Sequence, residues 1–324
     1  MRKIIALTAA AGLLVTLAAC STSAPTGTCT PTLSSGKASS TVVADGDFGQ
    51  NPDVDFPTPL VATSIEVSTL VAGDGETVFD GEYARSQVTL YDGATGDPMA
   101  ATSYDEASAL LVRPGEGSSE LSSVLECRTV GTRIAATITG EDLYGFQGIA
   151  EGSVGADATF VVVFDIQGAI PGKAYGLDQI PQQGMPAVVV APSGAPGVTV
   201  PSEEPPTSLK YNVLKQGDGA VLAEGDTIYA HYLRLSWTNP KDASSTKSTW
   251  DDFGVPDEIS LSTIDPSTGV GTAAGLKQAL VGQKVGSQVL VVLPPAFSFP
   301  DGLAPDGVDN TDTYVYVIDI LGVK

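Results

Sequence analysis

The sequence predicts an α+β protein made of two copies of one unit, each an antiparallel β-sheet wrapped on one short helix. Three observations carry that prediction. The apolar segments are short, rich in β-branched and aromatic residues and closed by Gly, Pro or Asp turns, which is how strands read. Helical spacing is confined to brief stretches such as Leu276, Ala279 and Leu280. A set of motifs also recurs in the same order along the chain, the mark of a duplicated unit. Hydrophobic residues make up 42% of the chain and charged residues 17%, so most of its 324 residues should fold.

At the N-terminus, Arg2 and Lys3 precede the apolar run Ile4 to Ala19, long enough for the core of an export signal and short for a membrane span. Residues 1–19 are therefore expected to be a signal peptide. The run ends in Leu17-Ala18-Ala19-Cys20, which resembles the lipobox of bacterial lipoproteins. That resemblance implies that Cys20 is lipidated and holds the protein on the outer face of the cell membrane. Residues 20–49 contain the Ser-, Thr-, Gly- and Ala-rich stretch Ser21 to Thr41 and are expected to form a flexible tether. Cys29 in the tether and Cys127 far downstream are the two remaining cysteines. In an exported protein they can pair, and a disulfide is expected against the alternative of two free thiols.

The repeat is specific in its spacing. Gly73-Asp74-Gly75 with Gly81 recurs as Gly217-Asp218-Gly219 with Gly225. Leu121, Leu125, Val130, Gly131 and Thr132 recur 155 residues later as Leu276, Leu280, Val285, Gly286 and Ser287. The segment Thr159 to Ile166 is echoed by Thr313 to Ile320. These blocks bound the copies at residues 50–168 and 186–324, with the Gly-, Pro- and Gln-rich residues 169–185 as a linker that leaves hinge freedom.

In the second copy, Thr227 to Leu235 reads as a strand after the Glu224-Gly225-Asp226 turn. Gly282 follows the short helix, where a C-terminal cap requires positive φ. Gln288 to Leu293 is an apolar strand stopped by Pro294-Pro295, and Tyr314 to Leu321 is the closing strand.

Gly217-Asp218-Gly219, His231-Tyr232, the segment Ala279 to Ser287, Pro294-Pro295 and the final Tyr-Val-Tyr strand together resemble the FKBP-type peptidyl-prolyl isomerases over nearly the whole second copy. The first copy resembles them more faintly. The pair looks like an actinobacterial-style tandem lipoprotein of that family. The resemblance implies two FKBP-like units and rotation about X-Pro bonds in an apolar bowl. The residues it places at the bowl are Tyr232, Val308 and Tyr316. Its Val-Ile-x-Gly-Trp motif falls on Thr272, Ala273, Ala274, Gly275 and Leu276, so leucine replaces the tryptophan floor. Trp250 or Phe253 is expected to fill that gap. Phe299 stands where the family has a tyrosine, and Lys247 where it has a carboxylate, with Asp251 and Asp252 close enough to resupply the acid. In the first copy Val88 and Val162 replace bowl aromatics and only Tyr144 remains, so that copy is expected to be a degenerate fold without an active bowl.

The expected function is thus an exported, lipid-anchored prolyl isomerase acting on proline-containing exported polypeptides through its second copy. A non-catalytic chaperone or adaptor that holds extended segments on the same fold is the alternative. A net charge of −22, or −24 once Arg2 and Lys3 are removed, opposes nucleic-acid binding and self-association and favours a monomer. One histidine and three cysteines are too few for an ordinary zinc site, so no metal and no cofactor is expected. No Gly-x-Ser-x-Gly elbow lies near a plausible strand end, which sets aside a Ser-His-Asp hydrolase; the resemblance, in which the histidine at this place is not catalytic, implies a structural His231.

Overall fold

The computed structural model describes residues 29–114, 120–143, 155, 157–251 and 254–324. The export-signal run, Cys20, Tyr144, Asp252 and Phe253 lie outside them. A hairpin of β1 (Val43–Asp45) and β2 (Asp53–Asp55) precedes β3 (Glu66–Val71), β4 (Tyr83–Asp92), β5 (Pro98–Ala101), β6 (Leu110–Val112), β7 (Arg133–Thr139) and β8 (Thr159–Ile170). These six strands form an antiparallel sheet in the order β3-β7-β8-β4-β5, with β6 also on β4. Short β9 (Leu177–Asp178) and a second hairpin, β10 (Ala187–Val190) with β11 (Pro196–Thr199), come next. Then follow β12 (Lys210–Gln216), β13 (Thr227–Ser236), β14 (Lys247–Ser248), β15 (Asp257–Ser260), helix α1 (Ala274–Leu280), β16 (Gln288–Leu293) and β17 (Tyr314–Val323). The second sheet runs β14-β13-β17-β16-β12-β9, with β15 also on β13.

The two sheets repeat each other in detail. Asp165 on β8 lies opposite Gln87 and Arg133, as Asp319 on β17 lies opposite His231 and Gln288. The register slips between Arg85 and Ser86 in one sheet and between Tyr229 and Ala230 in the other. The recurring Gly-Asp-Gly motif has a steric cause. A Cβ on Gly73 or Gly217 would run into the carbonyl oxygen of Val130 or Val285, so the two segments can cross only over glycine.

Helices are few. In α1, Leu276, Ala279 and Leu280 are buried on one side, and the chain leaves the helix through Gly282 at φ 87°. The matching segment of the first sheet, Glu120–Leu125, forms a 3-10 helix, and there the left-handed position is Cys127 at φ 58°. Ser122 and Ser123, which offer the backbone competing hydrogen bonds, weaken α-helix there. Cys127 is joined to Cys29 by a disulfide with a Cα–Cα distance of 5.3 Å.

Each sheet packs its helical element on one face, the cores centring on Leu280 and Val291 or on Leu125 and Ile134. The opposite faces are also covered, and this corrects two expectations. Residues 29–49 do not behave as a tether. Ala38 and Val42 are buried with Phe56 and Leu60 against the first sheet, and the Glu66 carboxylate accepts the N–H groups of Ala38 and Ser39 at 2.8 and 2.9 Å. Fully buried Arg133 pairs with Asp165 at 2.6 Å and donates to the carbonyls of Gly46 and Asp47 at 2.9 Å each, so the chain wraps its guanidinium. A charge buried this deeply needs every donor met.

Residues 169–185 are likewise not a free hinge. Ala169 and Ile170 finish β8, the Ala174 N–H donates to Asp319 at 2.8 Å, and β9 joins β12. Tyr83, Ile170, Tyr229 and Leu321 then form an apolar cluster where the sheets meet.

Candidate functional site

A cavity of about 340 Å³ opens between β13, β15, β17 and the start of α1. Alternation along β13 aims Tyr232 and Arg234 into it, while His231 points to the opposite face. Tyr316 and Ile318 face it from β17, Leu276 and Thr272 from α1 and its approach, and Phe299 and Pro305 from the segment after Pro294-Pro295. Of the residues expected at the bowl, Tyr232, Thr272, Leu276, Phe299 and Tyr316 are therefore brought together. The rings of Tyr232 and Tyr316 lie 6.2 Å apart.

The others go elsewhere. Trp250 does not fill the floor; its ring stacks on His231 at 4.1 Å, on the far face of β13. Ala273 is fully buried at the head of α1 within the core. Val308 packs on the same core and lines a neighbouring polar depression with Asp309 and Tyr314. Phe253 lies outside the described residues. Val88 and Val162 pack into the core of the first sheet.

The acid at the rim is Asp257 rather than Asp251, which is exposed. Tyr232 Oη donates to Asp257 Oδ2 at 3.0 Å, and Lys247 Nζ reaches the same oxygen at 2.8 Å. The ammonium also sits 5.5 Å from the centre of the Tyr232 ring. Burial would pull Lys247 down, but its hydrogen bonds with Asp257 and Tyr232 carry it up to about 12. Asp257 belongs to a strand whose pairing with β13 no local signal reveals. Arg234 was open to inference, since it stands two residues beyond Tyr232 and so shares its face. Its Nε donates to the Ser245 carbonyl at 3.3 Å and its Nη2 to that of Asp306 at 2.9 Å.

Burial pushes the Tyr316 phenol up. His231 is fully buried, with Nδ1 2.8 Å from Thr249 Oγ1 and Nε2 2.9 Å from Tyr83 Oη, and burial brings it down to about 4. It is neutral and structural. The cavity joins rings and aliphatic groups with Arg234, Glu258 and Asp257, the last of which holds Tyr232 at the rim.

Among proteins of known identity, the chain matches an FK506-binding protein of Streptomyces anulatus with 27% identity over 130 residues, 40% of this chain and 96% of that protein. That stretch of the chain is FKBP-like. No protein-family model matches the chain. Among solved structures, the three FKBP domains of wheat FKBP73 align with 81% of this chain and 95% of that one at 16% identity and a TM-score of 0.32. FkpA from Escherichia coli aligns with 44% of this chain and 53% of its own at 20% identity and a TM-score of 0.30. The similarity to the Streptomyces protein is joined at the cavity by two of the motif residues, Tyr232 and Tyr316.

Proposed function

We propose that the protein is a peptidyl-prolyl cis-trans isomerase of FKBP type, built as two FKBP-like units at residues 50–168 and 186–324 with the second as the active one. In this reading the protein is exported, held on the outer face of the membrane through lipidated Cys20, and acts as a monomer on proline-containing exported polypeptides. The observation that carries it is the cavity itself, whose walls include Tyr232, Leu276, Phe299, Tyr316 and Ile318, with Arg234, Asp257 and Glu258 among its polar groups.

Isomerisation breaks no bond. Its barrier of about 18–20 kcal/mol is the lost conjugation of the amide. A dry bowl that accepts the proline ring and holds the twisted amide better than the planar one lowers that barrier by differential binding. Tyr232, fixed by Asp257, and Tyr316 would supply the walls, and Leu276 the floor.

The alternative, a binder of extended segments without turnover, is favoured by one feature. Phe299 brings a ring without a hydroxyl that could hold the substrate carbonyl. Exchange NMR on a proline peptide with the full chain decides between them. Turnover that falls at least tenfold in Tyr232→Ala and rises in Phe299→Tyr supports the enzyme; peptide binding without turnover in any of the three leaves the binder.

A further inference from the structure

We propose that Tyr83, a residue of the first sheet, is a positioning residue for the cavity of the second. The proposal rests on the isomerase reading of that cavity and adds a role for the first sheet. Tyr83 is fully buried where the sheets meet, packed with Ile170, Tyr229 and Leu321. Its hydroxyl reaches two groups of the second half of the chain, and Arg113 of the first half stands beside it, its guanidinium 5.6 Å from the ring centre. The hydroxyl donates to the carbonyl oxygen of Gly254 and lies 2.9 Å from His231 Nε2.

Those contacts begin a hydrogen-bonded chain that leads to the cavity. With its own hydrogen on Gly254, the Tyr83 oxygen accepts from His231 Nε2–H. His231 Nδ1 then accepts from the Thr249 hydroxyl at 2.8 Å, and Thr249 Oγ1 accepts the N–H of Tyr232 at 3.0 Å. The Thr249 N–H returns to the Tyr232 carbonyl at 3.1 Å. Gly254 stands three residues before Asp257, the acceptor of Tyr232 Oη. Tyr83 thus holds both the strand residue beside Tyr232 and the segment that leads into Asp257. The separation between the rim tyrosine and its carboxylate is set in part by a side chain from the other sheet. A hydroxyl in this place also matters because its removal leaves the fully buried His231 N–H and the part-buried Gly254 carbonyl without this partner.

The test compares the full-length parent with Tyr83→Phe, which keeps the ring in the cluster, and with Leu111→Ala, which removes a side chain packed on the same cluster. Tyr83→Phe is expected to raise KM for a proline peptide about 3- to 10-fold, the effect of one lost hydrogen bond, and to shift the amide resonances of Tyr232, Thr249 and Asp257. Leu111→Ala is expected to leave KM within about twofold and those resonances in place. Unchanged resonances at Tyr232 and Asp257 in Tyr83→Phe overturn the proposal, as does Leu111→Ala reproducing its KM change. A parent that neither binds nor isomerises proline peptides would sink the isomerase reading instead. The resonance comparison then decides the positioning role by itself.

Discussion

Asp257 Oδ2 takes two donors at the rim of the cavity, the Tyr232 hydroxyl and the Lys247 ammonium. About two-fifths of each charged side chain in this ion pair is exposed, at 39% and 41%, so the pair adds no more than about 1 kcal/mol to stability. Its value is in fixing where the Tyr232 ring stands. Asp257→Asn is therefore expected to move the urea midpoint by less than about 1 kcal/mol of stability while raising KM for a proline peptide several-fold. It should also release Lys247 from about 12 toward its ordinary value, read by NMR titration of the side chain. At this scale the sequence revealed residue types well and their neighbours unevenly. Tyr232 and Tyr316 meet because strand alternation and motif position both place them. Trp250 was expected in the floor from its nearness in sequence, but stacking on His231 draws it to the opposite face.

At the scale of elements, two helix exits at matching places in the repeat solve one backbone problem differently. Gly282 takes φ 87° without a Cβ penalty, while Cys127 takes φ 58° with its side chain tied to Cys29. Gly282→Ala is expected to cost about 1 kcal/mol, because only glycine adopts that conformation freely; thermal or urea unfolding measures it. Reducing the disulfide, which spans 98 residues, is expected to cost about 2–5 kcal/mol, checked by the urea midpoint with and without reductant. Strand positions were legible because β-branched runs end at Gly and Pro: β16 covers Gln288–Leu293 and stops at Pro294-Pro295. What composition hid was the packing of residues 29–49 and 169–185. Their Ser, Gly and Pro content suggests flexibility, but their backbones bind Arg133, Glu66 and Asp319.

Across the whole molecule, two buried groups titrate against each other. His231 is held at about 4, chiefly by burial, so between there and its ordinary 6.5 the unfolded chain binds the proton more readily and stability rises with pH. Asp319 is fully buried and pushed by burial up to about 6 from 3.8, so the folded chain holds its proton more readily and stability falls with pH over that interval. The shifts are of similar size, each worth about 3 kcal/mol, and they largely cancel between pH 4 and 6. Relative to the parent, Asp319→Asn should gain stability as pH rises through that window, and His231→Gln should lose it up to pH 6.5. Urea midpoints from pH 4 to 7 check both slopes, and any pH-independent effect of the substitutions drops out.

The sequence by itself determined the repeat, the strands, the turn glycines and the types of side chain offered to the cavity. Each of these follows from local sterics or from a period that one segment carries alone. Tertiary structure decided that Asp257 and not Asp251 meets Tyr232, that Gln288 faces buried Asp319, and that Tyr83 reaches across to His231 and Gly254. Those contacts join residues 25, 31, 148 and 171 positions apart. Such pairings depend on sheet register and on how one sheet docks on the other, and no local propensity encodes either.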